Sequence, residues 1–165
     1  MNRDQLIQLV LAEAHRYRGV TEHPRGSNRG VEVDYWIREC GLDPTQGLPW
    51  CAAFVGQVGR QALGAAWPCP RTASVVALTL WAQAQAGVWQ PTPAVGDLFV
   101  LWEAGLSPAR YGHTGFVTGL EGPHITTIEG NTNGGGGREG YGAFERTRTP
   151  GPSDRFIRWA AAVRA

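Results

Sequence analysis

The spacing of apolar residues changes period once along this chain, near Gly87, and that single change restricts the folds open to it. Ahead of it, apolar positions recur at helical intervals. Leu6, Ile7, Val10, Leu11, Ala14 and Tyr17 describe an amphipathic helix, with Asn2 and Gln5 placed to cap its start. A second helix is predicted through "RGVEVDYWIREC", capped by Asn28 and stopped by Gly41. Cys51 opens a third, whose stripe of Phe54, Val55, Val58 and Ala62 ends at Gly64. A fourth is expected over residues 73–86, with Val76, Leu80 and Trp81 as its apolar positions. The links "GVTEHPRGSN", "LDPTQGLP" and "AAWPCPRT" carry the Pro and Gly of loops.

Beyond Gly87 the runs shorten. "GDLFVLW", "GHTGFVTGL", "HITTIEGN" and "DRFIRWA" are β-branched or aromatic and separated by Gly, Pro or Asn, so each is predicted to be a strand. Helices first and strands later is the pattern of an α+β fold, with N-terminal helices packed on one side of a C-terminal antiparallel sheet. "NTNGGGGREG" reads as a loop between strands; no Lys-Ser/Thr follows its glycines, as a phosphate cradle requires. "DRFIRWAAAVRA" is expected to end the sheet, with a basic membrane-disturbing tail as the other reading.

At 165 residues without internal repeats, one domain spanning 1–165 is expected. A net charge of +1 gives no electrostatic argument for nucleic acid or an anionic membrane surface. All 15 basic residues are arginine, which excludes lysine Schiff-base chemistry. Cys40, Cys51 and Cys69 cannot all pair and contain no C-x-x-C element, so neither a zinc site nor a redox pair is expected. Arg3, Asp4, Gln5 and Gln8 interrupt any signal-peptide core, and no apolar run reaches membrane-span length. Synthesis in a reducing cytoplasm is the expectation.

Cys51 carries the functional question. Its neighbours on the stripe are apolar, and free cysteine is among the most buried residue types, so packing is one reading. Position supplies the other. Pro49 breaks structure just ahead, which leaves Cys51 in the first helical turn, where unpaired N–H groups and the helix dipole favour a thiolate. A cysteine nucleophile needs a base, and the base needs an orienting partner. His15, His23 and His124 read as solvated. His113, flanked by Gly112 at a strand mouth, is the better candidate, against the alternative of a surface histidine. Glu129 and Asn131, two apart on the next predicted strand, share a face and can both point at one imidazole.

"PWCAAFV", "VGDLFVLW", "GHTGFVTG" and "TIEGNTN" together resemble the CHAP family of cysteine amidohydrolases and peptidases, related to NlpC-type cell-wall hydrolases and papain-like in fold. The resemblance runs from about Gly19 to the last strand. It implies Cys51 as nucleophile, His113 as base, Glu129 as orienting acid and Asn131 as a polar fourth member. Some phage relatives bind calcium through several aspartates ahead of the cysteine; here that loop holds only Asp43, too few ligands for a hard cation, so no metal and no cofactor is expected.

The implied activity is hydrolysis of peptidoglycan amide bonds, between muramic acid and L-alanine or within the stem peptide. Bacterial peptidoglycan is thus the expected partner, with no nucleic acid and no membrane span, and a monomer is expected. Trp50, Trp102 and Tyr111 flank the site in sequence and are candidates for substrate-binding walls; core packing accounts for them equally well. Glu22 and Asn28 are within reach of the cleft, although capping and solvation explain them more simply. A phage endolysin without a separate wall-binding domain is preferred over a tail lysin or an injected effector. It would be made in the cytoplasm without a signal peptide and act on the wall after release. A non-catalytic wall-binding protein, and a cysteine amidohydrolase acting on non-wall amides, are the competing classes.

Overall fold

A computed structural model of the chain describes residues 1–133 and 140–163. The helical half contains α1 (Arg3–Arg16), α2 (Val31–Glu39), α3 (Cys51–Leu63) and α4 (Val75–Gln83). A capping box starts α1: Asn2 Oδ1 accepts from the Gln5 N–H, and Gln5 Oε1 from the Asn2 N–H, both at 2.9 Å. Asn28 does not cap α2 as expected. Gly30 holds that position, and Asn28, at φ 54°, donates its amide to the Gly47 carbonyl at 3.1 Å. Asn28 stands two residues ahead of the cap position, and its amide nitrogen is committed to the following loop instead.

Ser74 caps α4 through the Ala77 N–H, so the helix is shorter than the expected 73–86. Its inward stripe is also displaced. Val75, Leu78, Thr79 and Ala82 are buried, whereas Leu80 is exposed. Nearly every side chain was apolar there, so periodicity could not choose a face.

The strands are β1 (Trp89–Gln90), β2 (Leu98–Glu103), β3 (Arg110–Glu121), β4 (His124–Thr132), β5 (Gly142–Arg148) and β6 (Arg155–Ile157). They form one antiparallel sheet in the order β1-β6-β2-β3-β4-β5. The expected α+β architecture, helices packed on an antiparallel sheet, is what the chain adopts. Two strands escape the sequence reading: β1 is too short to leave a pattern, and β5 alternates Glu145, Arg146, Thr147 and Arg148 on a sheet edge with little apolar signal. The predicted "NTNGGGGREG" loop falls largely on residues 134–139, outside the described residues.

At the centre lies α3, buried from Cys51 through Gly59 and packed against α1 and α2 on one side and β3 and β4 on the other. Phe54 and Phe116 meet edge-on across this layer at 6.3 Å, each fully buried. Burial of one such ring contributes about 1.5–3 kcal/mol. Alternation along β2 sends Leu98 and Val100 toward the helices, and Phe99 and Leu101 to a second cluster with Val117, Ile125 and Phe156. The C-terminal segment ends the sheet rather than forming a tail: Trp159 is buried and donates its indole N–H to the Gly96 carbonyl at 2.7 Å.

Candidate active site

Cys51 is the first residue of α3, and no side chain caps that helix. Its first-turn N–H groups therefore stay available to a negative charge. The residue before it fixes where the helix begins. Trp50 is fully buried, packed 5.4 Å from Trp36, with its indole N–H donated to Glu22 Oε1 at 2.9 Å. Trp50 is thus an anchor of the helix start and not a wall of the cleft, because its neighbours are core aromatics and a buried carboxylate. Glu22 likewise faces the core rather than the cleft.

Two glycines let the sheet approach this helix start. A Cβ on Gly130 would stand 2.6 Å from Phe54 Cβ and 2.7 Å from Trp50 Cζ3, so only glycine lets β4 pass this close. That contact brings Glu129 and Asn131 to the end of α3. A Cβ on Gly115 would stand 2.9 Å from Glu129 Cγ. Pairing of Phe116 with Ile128 sets Gly115 across from Glu129, two residues from His113 on the same face. The missing side chain leaves the room Glu129 uses to reach the imidazole.

His113 Nε2 lies 2.8 Å from Glu129 Oε2. Its other ring nitrogen, Nδ1, is left for Cys51, which lines the same cavity and interacts with the imidazole. Phe99 packs against the ring at 5.8 Å. Burial lowers the His113 pKa, but its interactions with Cys51 and Glu129 outweigh it and raise the pKa to about 9. Burial pushes Glu129 the other way, and hydrogen bonds from Arg148 and His113 overcome it, holding the carboxyl at about 2. At neutral pH the pair is therefore an imidazolium and a carboxylate.

The carboxylate is more heavily engaged than the sequence suggested. Thr127 Oγ1 donates to Glu129 Oε1 at 2.6 Å, and Arg148 grips both oxygens, Nε to Oε1 at 2.5 Å and Nη2 to Oε2 at 2.6 Å. Arg148 was missed because its strand was missed. Cys51, His113, Asn131 and Arg148 all line one cavity of about 730 Å³. Glu129, fully buried, stands behind them. Asn131, at φ 54° where β4 and β5 slip register, lines the cavity beside His113, whose Nε2 is held by Glu129.

Tyr111 lines the cavity and donates its hydroxyl to the Ser153 carbonyl at 3.1 Å. Trp102 is 40% exposed and stacks edge-on against Tyr111 at 5.0 Å, outside the cavity lining. Alternation along β2 puts Leu101 and Glu103 on the cavity face and Trp102 on the other. Asn28 and Cys40 do reach the lining. His15 pairs with Glu145 at 3.2 Å, and His124 lies 2.8 Å from Thr149 Oγ1 on the surface. Asp97, just ahead of β2, is bound by Arg158 at 2.9 Å.

An α+β fold with a cysteine at a helix start and a histidine–carboxylate pair on the facing sheet defines the papain-like class. The CHAP domain family model matches residues 43–131, and the chain belongs to the CHAP domain family. A comparison with curated proteins gave no match. Family membership points to a hydrolase of amidase or peptidase type, for which peptidoglycan fits as substrate. No described helix is long and apolar enough to cross a membrane.

Proposed function

We propose that this protein is a cysteine peptidase or amidase that hydrolyses amide bonds of bacterial peptidoglycan. The observation that carries the reading is His113, bonded to Glu129 and lining one cavity with Cys51, whose interaction raises its pKa. In this reading the attacking form is a Cys51 thiolate beside protonated His113. The thiolate attacks the amide carbonyl, and the oxyanion is met by the Cys51 backbone N–H at the helix start. As the C–N bond breaks, His113 Nδ1–H protonates the departing amine and leaves an acyl-thioester. The neutral imidazole then takes a proton from water, whose oxygen attacks the thioester. Collapse releases the acid and restores the ion pair. Glu129 holds the ring throughout and supports its charge when it is protonated; Asn131 and Tyr111 line the same cavity.

Phage endolysin is the setting we propose, with the protein made in the cytoplasm and reaching the wall once the membrane is breached. Expression alone should leave cells intact, and permeabilising the membrane should then lyse them. The activity itself is tested by incubating purified peptidoglycan with the protein and identifying new end groups by mass spectrometry. New amino-terminal alanine marks cleavage from muramic acid, and new amines within the stem mark endopeptidase action. Absence of any released end group would overturn the reading.

A further inference from the structure

Arg148 is a cation placed to serve a carboxylate that already has a cationic partner. The Glu129 side chain has no exposure and so no hydration of its charge. Among the described residues, the groups that bond it are His113 from β3, Thr127 from β4 itself and Arg148 from β5, with Cys51 of α3 beyond the imidazole. Thr127 is neutral. His113 is a cation only for part of the cycle proposed above, because it surrenders its proton to the leaving amine. In the acyl-enzyme the carboxylate would then face a neutral ring, and an unpaired buried carboxylate takes up a proton. A protonated Glu129 cannot support His113 when the imidazole must next accept a proton from water.

We propose that Arg148 is a positioning residue for catalysis: its fork on both oxygens keeps Glu129 ionised after His113 gives up its proton, and keeps Oε2 turned toward Nε2. The inference rests on the Cys51–His113 reading of the site. Its geometry is that of a bidentate arginine–carboxylate pair, which fixes direction as well as charge. Arg148 also packs over the Phe99 ring at 5.5 Å, the ring that supports His113, so one aromatic aligns both cations. The pair ties the last residue of β5 to the site across the β4–β5 edge.

The test needs one readout without substrate and one with it. With ¹³C-labelled glutamate carboxyls, Glu129 in the parent should stay ionised down to about pH 2. In Arg148→Met its titration should move up by about one to three pH units, the range an adjacent arginine supplies. On purified peptidoglycan, kcat should fall about ten- to a hundredfold with KM unchanged, the cost typical of losing a group that orients a working side chain. Arg148→Lys should keep Glu129 ionised yet recover only part of kcat, since an ammonium cannot form the fork. An unmoved Glu129 titration in Arg148→Met, or a raised KM with intact kcat, would overturn the proposal. Where the Met variant fails to fold, Arg148→Lys decides: full parental kcat would refute the aligning role. Should the parent cut no peptidoglycan, the function reading fails while the carboxyl titration still judges Arg148.

Discussion

His113 Nε2 stands 2.8 Å from Glu129 Oε2, which leaves the opposite ring nitrogen for Cys51. The imidazole is held by Glu129 and, in the proposed mechanism, faces Cys51 on its other side. Glu129→Gln keeps the shape and removes the charge; a comparable acid-to-amide change in the serine-protease triad costs about 10⁴ in turnover. A preformed ion pair already stores part of that charge separation, so a loss on the order of 10–10³ is expected here. Glu129→Ala should be worse, His113→Ala worse still, and Asn131→Ala mildest. Turnover on purified walls, with folding checked by circular dichroism, gives the order; near-normal activity of a folded Glu129→Ala variant would remove Glu129 from the site.

The pH dependence follows from the two displaced groups. His113 titrates at about 9, above its ordinary 6.5, so its stabilising contribution is complete below 6.5 and lost as pH rises through 9. Glu129 titrates at about 2, below 4.5, so its contribution is complete above 4.5 and lost as pH falls through 2. Thermal stability should therefore decline from these two groups on the alkaline side first. The alkaline limb of kcat/KM should fall near pH 9, where the proton for the leaving amine is lost, and should move to lower pH in Glu129→Gln. An alkaline limb that stays in place in that variant would contradict the coupling.

Three free thiols differ in what surrounds them. Burial raises Cys40, and burial raises Cys69 well above the usual thiol range, so both remain protonated at neutral pH. Cys51 should therefore be the residue that iodoacetamide modifies fastest in the native protein, as read by peptide mass mapping. Cys51→Ser should abolish wall cleavage. Cys69→Ser and Cys40→Ser should retain it, although Cys40 borders the cavity and its modification by a bulky reagent should slow substrate entry.

Trp50 and Glu22 meet at 2.9 Å in the core. Glu22 Oε2 has no hydrogen-bond partner among the described residues, so the indole N–H is the side-chain donor that the buried carboxyl depends on. Trp50→Phe should cost about 1–3 kcal/mol by stranding that group, measured by denaturant unfolding. Trp50→Phe combined with Glu22→Leu should recover part of the loss. Equal destabilisation in the single and double variants would show that the indole's volume, not its N–H, matters.

Metal independence is the last expectation. The Asp43 carboxylate, the acid in the loop ahead of Cys51, is spent on the Thr45 N–H at 2.9 Å and Thr45 Oγ1 at 2.7 Å. Exhaustive chelation should leave activity unchanged, and added calcium should not raise the melting temperature. A calcium-dependent rise would reveal ligands elsewhere, since binding to the native state alone must stabilise it.

Local pattern was enough to place α1, α3 and the strands bearing His113 and Glu129, because helix caps and alternation act over a few residues. Cys51 at a helix start followed from Pro49 and the stripe behind it. That Glu129 would lie against His113 was also legible, since successive strands of an antiparallel sheet pair as neighbours. Trp50 was not. An aromatic beside a reactive cysteine looks the same in sequence whether it faces a cleft or a core. Its burial depends on Trp36, Phe54 and Glu22, contributed by three separate elements.

The sequence by itself determined the periodicities, and with them the α+β layout and the order in which Cys51, His113 and Glu129 appear. Tertiary structure decided what surrounds the charge on Glu129. The Arg148 fork arises from strand pairing between β4 and β5, and an edge strand whose second half is Glu145-Arg146-Thr147-Arg148 has little apolar pattern to announce it. It also decided that Gly130, rather than any side chain, sets how near β4 comes to the helix start. Backbone approach and burial belong to the packed whole, and neither has a local signature for pattern reading to find.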